Sequence, residues 1–341
     1  MRHGPLVRND VASFNLFLAV SGSAANAVDP GLMIHGGGHV MLSRKDVRPR
    51  QTQLLLDHGV LPVAIDYRLC PETTLLEGPL VDAHSAYAWA RRVLPTLNLT
   101  STSVRLDASR VVVVGWSTGG TVAMSLAWTS VPRGLPAPDA ILVFYCPTDY
   151  EDEFWTRPNV PDHTDAYAED KFDLLEGVYP APITAYNVPT KMVAMAGWIA
   201  PKDARSRIVL HMNWHGQTLP VLFRGLPSAE HAGRTKDATW QNMAQPSNNE
   251  IVQGSPYAQI VRGNYKSPTH IVFGTNDDLI PWQQAKRTTD ALRAAGIESG
   301  LTLVKDQPHL FDMYGDPTGK KWEAVLEGYA FLLNRIGIGK E

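Results

Sequence analysis

Ser117 is the residue of this sequence whose surroundings most clearly suit a nucleophile. It stands at the centre of Gly115-Trp-Ser-Thr-Gly119, which matches the pattern G-x-S-x-G. Four consecutive valines, at 111–114, precede the pattern and predict a buried strand, and the apolar spacing of 121–128 predicts a helix after it. A tight strand-to-helix turn lifts a serine hydroxyl above the sheet and aims the helix N-terminus at it. A plain Gly-Ser turn is the alternative interpretation.

A serine hydroxyl reacts readily only when a base removes its proton and a carboxylate orients that base. Asp277 and His309 each lie a few residues beyond a short apolar run, so we expect both at the carboxyl edge of a parallel sheet. Asp277 is favoured because it is the first acid after the turn at Gly274. Other candidates remain open for the two roles: Asp278 and Asp149 for the acid, and His215, His231 and His270 for the base.

Three consecutive glycines, 36–38, follow a predicted strand and are flanked by histidines. Glycines let the backbone approach a reacting group closely, with N–H groups turned towards it. Upstream of G-x-S-x-G, such a loop supplies donors to an oxyanion hole. We therefore expect the amides of Gly37, Gly38 and Thr118 to form that hole, while His35 braces the loop. A phosphate-binding loop is the alternative, but no Gly-Lys-Ser/Thr follows the glycines.

The elements that must position these residues alternate between strands and helices, which predicts an α/β fold. Apolar runs predict strands at 31–34, 60–65, 111–114, 140–145, 269–273 and 301–304, with a weaker candidate at 11–20. Helical spacing predicts helices at 50–58, 80–94, 121–128, 283–295 and 321–336. The alternation is lost between 147 and 267, a stretch too long for a simple connection. We therefore expect one domain, with a core at 1–146 and 268–341 and a lid at 147–267.

Composition excludes several classes of protein. The 341 residues are 44% hydrophobic and 19% charged, with a net charge of −3, so no basic surface points to nucleic acid. The apolar run 14–20 is too short to span a bilayer and lacks the features of a signal peptide, so a cytoplasmic location is expected. No spacing of metal ligands is present. Cys70 and Cys146 both follow apolar runs and are expected to be buried free thiols.

In combination, the motifs resemble the hormone-sensitive-lipase-like branch of the α/β-hydrolases. They are H-G-G-G at 35–38, D-Y-R-L-x-P-E at 66–72, G-x-S-x-G at 115–119 and the late pair Asp277 and His309. The resemblance implies an α/β-hydrolase fold, with a mostly parallel central sheet flanked by helices and an inserted helical lid. Residues 1–30 show only a weak version of the strand pair with which this branch opens. A functional role is the alternative for Asp66 and Arg68, but we expect them to be structural, through an ion pair that fixes the loop beneath the site.

Four stretches, 35–44, 114–120, 211–214 and 255–262, are similar to the esterase-type thioesterase domain at the C-terminus of fungal non-reducing polyketide synthases, where it follows a C-methyltransferase domain. This resemblance implies release of a methylated aromatic polyketide by hydrolysis or by attack of a hydroxyl. The acyl group would arrive on the phosphopantetheine arm of an acyl carrier protein, in cis or in trans, with no metal or dissociable cofactor. A free-standing carboxylesterase acting on small esters is the alternative, and both an excised domain and a stand-alone enzyme remain open.

The identity of the acyl chain depends on the lid and on residues near the nucleophile. Trp116, His39, Trp155 and Trp214 are the candidates for contact with substrate. Aromatic side chains in a lid can line an acyl pocket. They can equally pack the lid onto the core, which is the alternative for each of them.

Overall fold

The computed structural model describes residues 28–97, 105–159, 176–188, 203–226, 243–313 and 319–338, together with the backbone of two earlier strands at 8–9 and 12–16. The strands of this described part are β1 Arg8–Asn9, β2 Ala12–Leu16, β3 Pro30–Ile34, β4 Leu61–Ile65, β5 Val112–Trp116, β6 Ala140–Phe144, β7 Thr269–Gly274 and β8 Ser299–Val304. They form one sheet in the order β1-β2-β4-β3-β5-β6-β7-β8.

Six of these strands, β3 to β8, run parallel, whereas β1 pairs antiparallel with β2, and β2 pairs antiparallel with β4. Every residue of β3 to β7 is buried, and β8 at the edge is partly exposed. A parallel sheet covered on both faces favours apolar residues at most positions, which explains the long aliphatic runs. The predicted α/β class with a mostly parallel sheet is confirmed. The weak candidate at 11–20 is a shorter strand, 12–16.

The helices within the described ranges are α1 Pro49–Asp57, α2 Pro79–Arg92, α3 Thr118–Thr129, α4 Ala204–Trp214, α5 Thr218–Arg224, α6 Asn248–Gly254, α7 Pro256–Val261, α8 Trp282–Ala294 and α9 Lys320–Arg335. Those predicted in the core are present, with ends displaced by three residues at most. The largest displacement is at α3, which begins at Thr118 because the turn at Ser117 leads directly into it.

Helices cover both faces of the sheet. Successive side chains of a strand point to opposite faces. In β6, Leu142 meets α9, where a Cβ on Gly328 would lie 2.6 Å from it. The next residue, Val143, faces α3, where a Cβ on Gly120 would lie 3.2 Å from it. Helices α3 and α9 therefore lie on opposite faces, and α2 packs against α3.

The stretch expected to form a lid contributes α4 to α7 to the described part. Helix α4 lies against the loop of glycines 36–38 (the glycine loop), since a Cβ on Gly38 would be 2.8 Å from Val209. It is held there by Arg205, whose buried guanidinium pairs with Glu72 of the core at 2.7 Å. Removing one partner of a buried pair leaves an uncompensated charge, so the two are strongly interdependent. The lid boundaries of 147 and 267 stay a prediction.

The loop after β4 is structural, as expected, but it uses two ion pairs rather than one. Asp66 accepts a hydrogen bond from the backbone amide of Arg44 at 2.7 Å and pairs with its guanidinium. Arg68 binds Asp82 of α2 through both Nε and Nη2. Asp66 and Arg68 thus anchor the loop to two different elements.

Cys70 and Cys146 are buried free thiols, as predicted. Burial raises the pKa of both thiols, which keeps them protonated. Among the helices within the described ranges, none has the length and apolar character that crossing a bilayer requires.

Candidate active site

Ser117 occupies a strained turn between β5 and α3. Its φ of 51° and ψ of −134° are unusual for a residue with a side chain. A Cβ on Gly115 would lie 2.4 Å from the carbonyl oxygen of Gly119, and one on Gly119 would lie 2.2 Å from that of His35. The flanking glycines are therefore required by close packing. The turn places Ser117 at the N-terminus of α3, where the helix dipole favours negative charge.

His309 lies between Ser117 and Asp277. Its Nε2 is 3.0 Å from Ser117 Oγ, and its Nδ1 is 2.7 Å from Asp277 Oδ2. Because the carboxylate can only accept, Nδ1 carries the proton and Nε2 is free to accept from the serine hydroxyl. The side chains of His309 and Asp277 are 3% and 0% exposed. The three groups are thus arranged for removal of the serine proton by the imidazole.

The loops that carry Asp277 and His309 are joined to each other. They follow β7 and β8, which are adjacent parallel strands. The amide of Asn276 donates to the carbonyl of Gln307 at 3.0 Å. A Cβ on Gly274 would lie 2.2 Å from that same carbonyl oxygen, so only glycine permits the approach. The two loops consequently hold Asp277 and His309 in a fixed relative position.

The other candidates for the acid and the base have different surroundings. Asp278 is exposed beside Asp277, and Asp149 pairs with Arg287 on α8. His270 lies inside β7 and hydrogen-bonds to Thr302 of β8, and His215 directly follows α4. His231 falls outside the described residues.

The glycine loop lies against the nucleophile, where a Cβ on Gly36 would be 2.8 Å from Ser117 Cβ. Its carbonyl oxygens are engaged by the protein. Tyr67 Oη donates to the carbonyls of His35 and Gly36 at 2.9 and 3.2 Å, and the Gly37 carbonyl accepts two amides of the following turn. Within the described residues, the amides of Gly37 and Gly38 have no acceptor, which leaves them available to an oxyanion.

Thr118 completes the expected oxyanion hole as the first residue of α3, where helical N–H groups have no partner within the helix. Its Oγ1 accepts from the amide of His39 at 3.0 Å, which ties the glycine loop to the strand-to-helix turn at Ser117 (the elbow). Gly37 and Gly38 adopt φ values of 96° and 67°, in the left-handed region that favours glycine. All three residues expected to donate line cavity walls together with Ser117.

The two histidines of the loop differ in their contacts. His35 stacks on Tyr67 with ring centroids 4.4 Å apart, and its Nδ1 lies 2.9 Å from the Gly36 carbonyl oxygen, so it braces the loop as expected. His39 was expected to contact substrate, but it is fully buried behind Tyr150, with its Nε2 3.0 Å from the phenol oxygen. Burial lowers the pKa of His35 to about 4 and that of His39 to about 3, so both are neutral at pH 7.

Two cavities meet at Ser117. The larger measures about 750 Å³ and has Trp116 in its wall, with polar and apolar residues that include Leu42, Lys45, Arg48, Arg50, Val188 and Met313. The smaller is a narrow, mainly apolar slot whose wall contains Trp155 and Trp214, with Tyr150, Val209, Met212 and Leu222. Three of the four expected substrate-contacting residues therefore line a cavity that reaches the nucleophile. In the described ranges, no three His, Cys, Asp or Glu side chains are grouped as a metal site would need.

Comparison with known proteins identifies the fold. A family model described as the alpha/beta hydrolase fold matches residues 32–198. The chain has the alpha/beta hydrolase fold. Two solved structures share this fold with TM-scores of 0.57 and sequence identities of 18%. They are the butyrate-bound esterase Est2 of Thermogutta terrifontis, aligned over 97% of this chain and 91% of its own, and carboxyl esterase 2 of Tuber melanosporum, aligned over 97% and 83%.

Curated relatives of this α/β hydrolase are far closer in sequence. The 5-methylorsellinic acid synthase of Aspergillus terreus is 55% identical over 89% of this chain and 12% of its own length. The non-reducing polyketide synthase pkbA of Emericella nidulans is 53% identical over 92% of this chain and 13% of its own. The chain therefore spans about an eighth of the length of these relatives. The expected resemblance to a fungal polyketide synthase domain is confirmed.

The α/β hydrolase also holds a residue beside the base that the sequence did not single out. The ring of Tyr145 packs edge-on against the His309 imidazole, with centroids 4.6 Å apart and planes at 62°. Tyr145 follows β6 and has a φ of 38°, which turns its ring out of the strand. The sequence shows an aromatic residue at a strand end, but nothing local predicts that its backbone leaves the strand there.

Proposed function

We propose that this α/β hydrolase is a serine thioesterase that releases a methylated aromatic polyketide from an acyl carrier protein. The observation that carries the proposal is the chain of hydrogen bonds from Ser117 through His309 to Asp277, with separations of 3.0 and 2.7 Å. The identity to part of a 5-methylorsellinic acid synthase supports the choice of substrate. The hydrolase fold and the esterase structures that share it support the reaction class.

Acyl transfer to the enzyme begins when His309 Nε2 accepts the Ser117 proton and Oγ attacks the thioester carbonyl. The negative oxygen is stabilised by the amides of Gly37, Gly38 and Thr118, each of which is worth about 3 kcal/mol in comparable sites. The carbon–sulfur bond then breaks, and the imidazolium protonates the departing thiol. Asp277 keeps the imidazole in the required tautomer and offsets its positive charge. The product of this half-reaction is an ester on Ser117.

Release of the product reverses these roles. His309 removes a proton from water, or from a hydroxyl of the acyl chain, and the resulting nucleophile attacks the ester. The carbon–oxygen bond to Ser117 breaks, and the serine recovers its proton from the imidazolium. Water gives a free acid, whereas an internal hydroxyl gives a cyclic ester. Side chains and backbone amides carry every step, and the acyl group itself arrives on the phosphopantetheine arm.

The two cavities suit the two halves of such a substrate. The narrow slot is walled by aromatic side chains, among them Tyr150, Trp155 and Trp214, whose flat faces suit contact with a planar apolar group. The larger cavity has Lys45 and Arg50 in its lining, and it can face the amides and phosphate of the arm. We therefore assign the acyl group to the slot and the arm to the larger cavity. A carrier protein acting in cis or in trans and a cytoplasmic setting stay predictions.

Intact-mass measurement tests the proposal directly. Carrier protein loaded with the aromatic acyl group is mixed with wild-type enzyme and with Ser117→Ala. We expect a mass increase equal to the acyl group on wild type, mapped by peptide analysis to Ser117, and no increase on the variant. Release at the wild-type rate by Ser117→Ala would contradict the proposal.

A carboxylesterase acting on small soluble esters is the second candidate function. The two aligned structures described above are esterases, and the same catalytic groups would serve. The deciding comparison is kcat/KM for the carrier-bound thioester against kcat/KM for a soluble ester of the same acid. A higher value for the carrier-bound form supports the thioesterase, and the reverse supports the esterase.

A further inference from the structure

A buried carboxylate anchors the loop that carries the base. Asp312 lies three residues beyond His309, and its side chain is 0% exposed. One of its oxygens accepts from Tyr145 Oη at 2.6 Å, and the other accepts from Gln51 Nε2 at 2.6 Å. The guanidinium of Arg48 lies 3.4 Å away and supplies the compensating charge. Hydrogen bonds to a charged acceptor are about twice as strong as neutral ones, so this loop is firmly held.

Gln51 connects that carboxylate to the nucleophile's neighbour. While its Nε2 donates to Asp312, its Oε1 accepts from Trp116 Nε1 at 3.1 Å and from Tyr329 Oη at 3.3 Å. An indole N–H can only donate, so the amide oxygen must face Trp116 and the amide nitrogen must face the carboxylate. Trp116 directly precedes Ser117. One buried amide therefore spans the gap between the elbow and the loop of His309.

Tyr145 adds a second contact to the base from the same group of residues. Its ring edge packs against His309, and its hydroxyl donates to Asp312 while accepting from Arg48 Nη2 at 2.8 Å. The ring cannot move away from the imidazole without breaking both hydrogen bonds. His309 is thus confined by Asp277 at Nδ1 and by the Tyr145 ring at one side.

We propose that Gln51, Asp312 and Tyr145 are positioning residues that set the separation of Ser117 Oγ and His309 Nε2. The inference rests on the proposed serine hydrolase function. These residues form a chain of hydrogen bonds (the positioning relay) that runs from Trp116, the residue before the nucleophile, to the loop that carries His309. A shift anywhere along this relay changes the distance over which the proton moves from Ser117 to His309. Displacement of about 1 Å in such a site can cost about 100-fold in rate.

Exchanging the amide and the carboxylate at the two ends of the hydrogen bond between Gln51 and Asp312 tests the relay. Gln51→Glu places a second carboxylate against Asp312, and Asp312→Asn leaves the Tyr145 hydroxyl without its charged acceptor. In the double variant, the carboxylate introduced at position 51 still accepts from Trp116 and Tyr329. The amide introduced at position 312 donates to that carboxylate and accepts from Tyr145, so the net charge of the cluster is restored. Gln53→Glu is the matched control, because it makes the same change on the exposed face of α1.

Two measurements separate positioning from stability. The first is kcat and KM for a small aryl ester, which needs no carrier protein. The second is the rate at which an aryl dialkyl phosphate phosphorylates Ser117, releasing its phenolate, which reports the reactivity of the serine alone. Thermal unfolding is followed in parallel.

Each single variant should lower kcat and the phosphorylation rate by about tenfold or more, with KM within about twofold of wild type, and the double variant should recover most of the loss. The control should match wild type. Should a single variant fail to fold, Tyr145→Phe keeps the packed ring, removes only the hydroxyl, and is expected to lower kcat in the same way.

Folded single variants and a folded Tyr145→Phe with wild-type kcat would overturn the relay, as would a double variant no faster than the slower single variant. These outcomes differ from failure of the proposed function. If wild type neither cleaves the ester nor is phosphorylated at Ser117, the serine hydrolase itself is wrong.

Discussion

One carboxylate oxygen of Asp277 accepts a hydrogen bond from His309 Nδ1 at 2.7 Å, and the other accepts from backbone amides of the same loop. Those amides, of Leu279 and Ile280, lie 2.9 and 3.0 Å away. The carboxylate therefore cannot rotate without losing hydrogen bonds, and the imidazole is held in one orientation. This arrangement makes Asp277 the acid whose chemistry should matter most to turnover.

Asp277→Asn should lower kcat for ester cleavage by a factor on the order of 10⁴, because an amide nitrogen facing Nδ1 would favour the wrong imidazole tautomer. Thermal stability should change far less, since the amide oxygen can still accept from the loop. Steady-state kinetics on a soluble ester provide the measurement. Asp278→Asn is the control, because Asp278 is exposed and should leave kcat unchanged. A large loss for the control alone would transfer the role to Asp278.

The core and its strand-end loops are predictable from sequence for a definite physical reason. Buried parallel strands need continuous aliphatic runs, and residues that follow such runs collect at one edge of the sheet. That logic is enough to bring Ser117, Asp277 and His309 together. It does not extend to His39, because a φ of 62° turns its side chain inward and no local pattern predicts that rotation.

The positioning relay is beyond sequence reasoning because its contacts are non-local. Gln51 and Asp312 are separated by 261 positions, and each looks like an ordinary polar residue in its own segment. Only the folded sheet brings α1 and the loop after β8 together. The ion pairs of Asp66 with Arg44 and of Arg68 with Asp82 are likewise not predictable from the sequence, since the partners lie on separate elements.

Acidification should destabilise the fold through the buried histidines. The unfolded chain takes up a proton at each imidazole near pH 6.5, whereas the folded protein does not until about pH 4 at His35 and about pH 3 at His39. The stabilisation from neutral rings is complete above pH 6.5 and is lost as the pH falls towards those values. Each ring should contribute a slope of about 1.4 kcal/mol per pH unit in that window.

Urea unfolding at a series of pH values between about 7.5 and 5 tests this dependence. His35→Phe keeps the stack on Tyr67 but cannot titrate, so its free energy of unfolding should fall less steeply below pH 6.5 than that of wild type. His58→Gln, at an exposed position, is the control and should retain the wild-type slope. Equal slopes for wild type and His35→Phe would show that His35 is not kept neutral by burial.

The close packing around the turn at Ser117 predicts that one added methyl group strongly destabilises the fold. In Gly119→Ala the new Cβ would lie 2.2 and 2.4 Å from the carbonyl oxygens of His35 and Ile34, both of which are backbone atoms. The substitution should cost several kcal/mol or prevent folding. Gly134→Ala has open space around it and a φ of 73°, so it should cost only about 1 kcal/mol. Chemical denaturation of both variants measures the difference, and similar costs would contradict the packing argument.

The assignment of the two cavities can be tested by narrowing each one separately. Met212 lies in the wall of the slot, and Met313 lies in the wall of the larger cavity. Met212→Phe should raise KM for aromatic acyl groups about tenfold or more whichever thiol they are attached to, while acetyl substrates are spared. Met313→Phe should raise KM for phosphopantetheine thioesters more than KM for short thioesters of the same acid.

Both variants are compared on four substrates, which combine an acetyl or an aromatic acyl group with a short or a full-length thiol. The change in KM with the acyl group for Met212→Phe and the change in KM with the thiol for Met313→Phe are then independent measurements. Wild type is measured under the same conditions. Because each substitution adds an aromatic ring at a methionine, bulk is matched between them. If Met313→Phe responded to the acyl group and Met212→Phe to the thiol, the arm would occupy the slot and the polyketide the larger cavity.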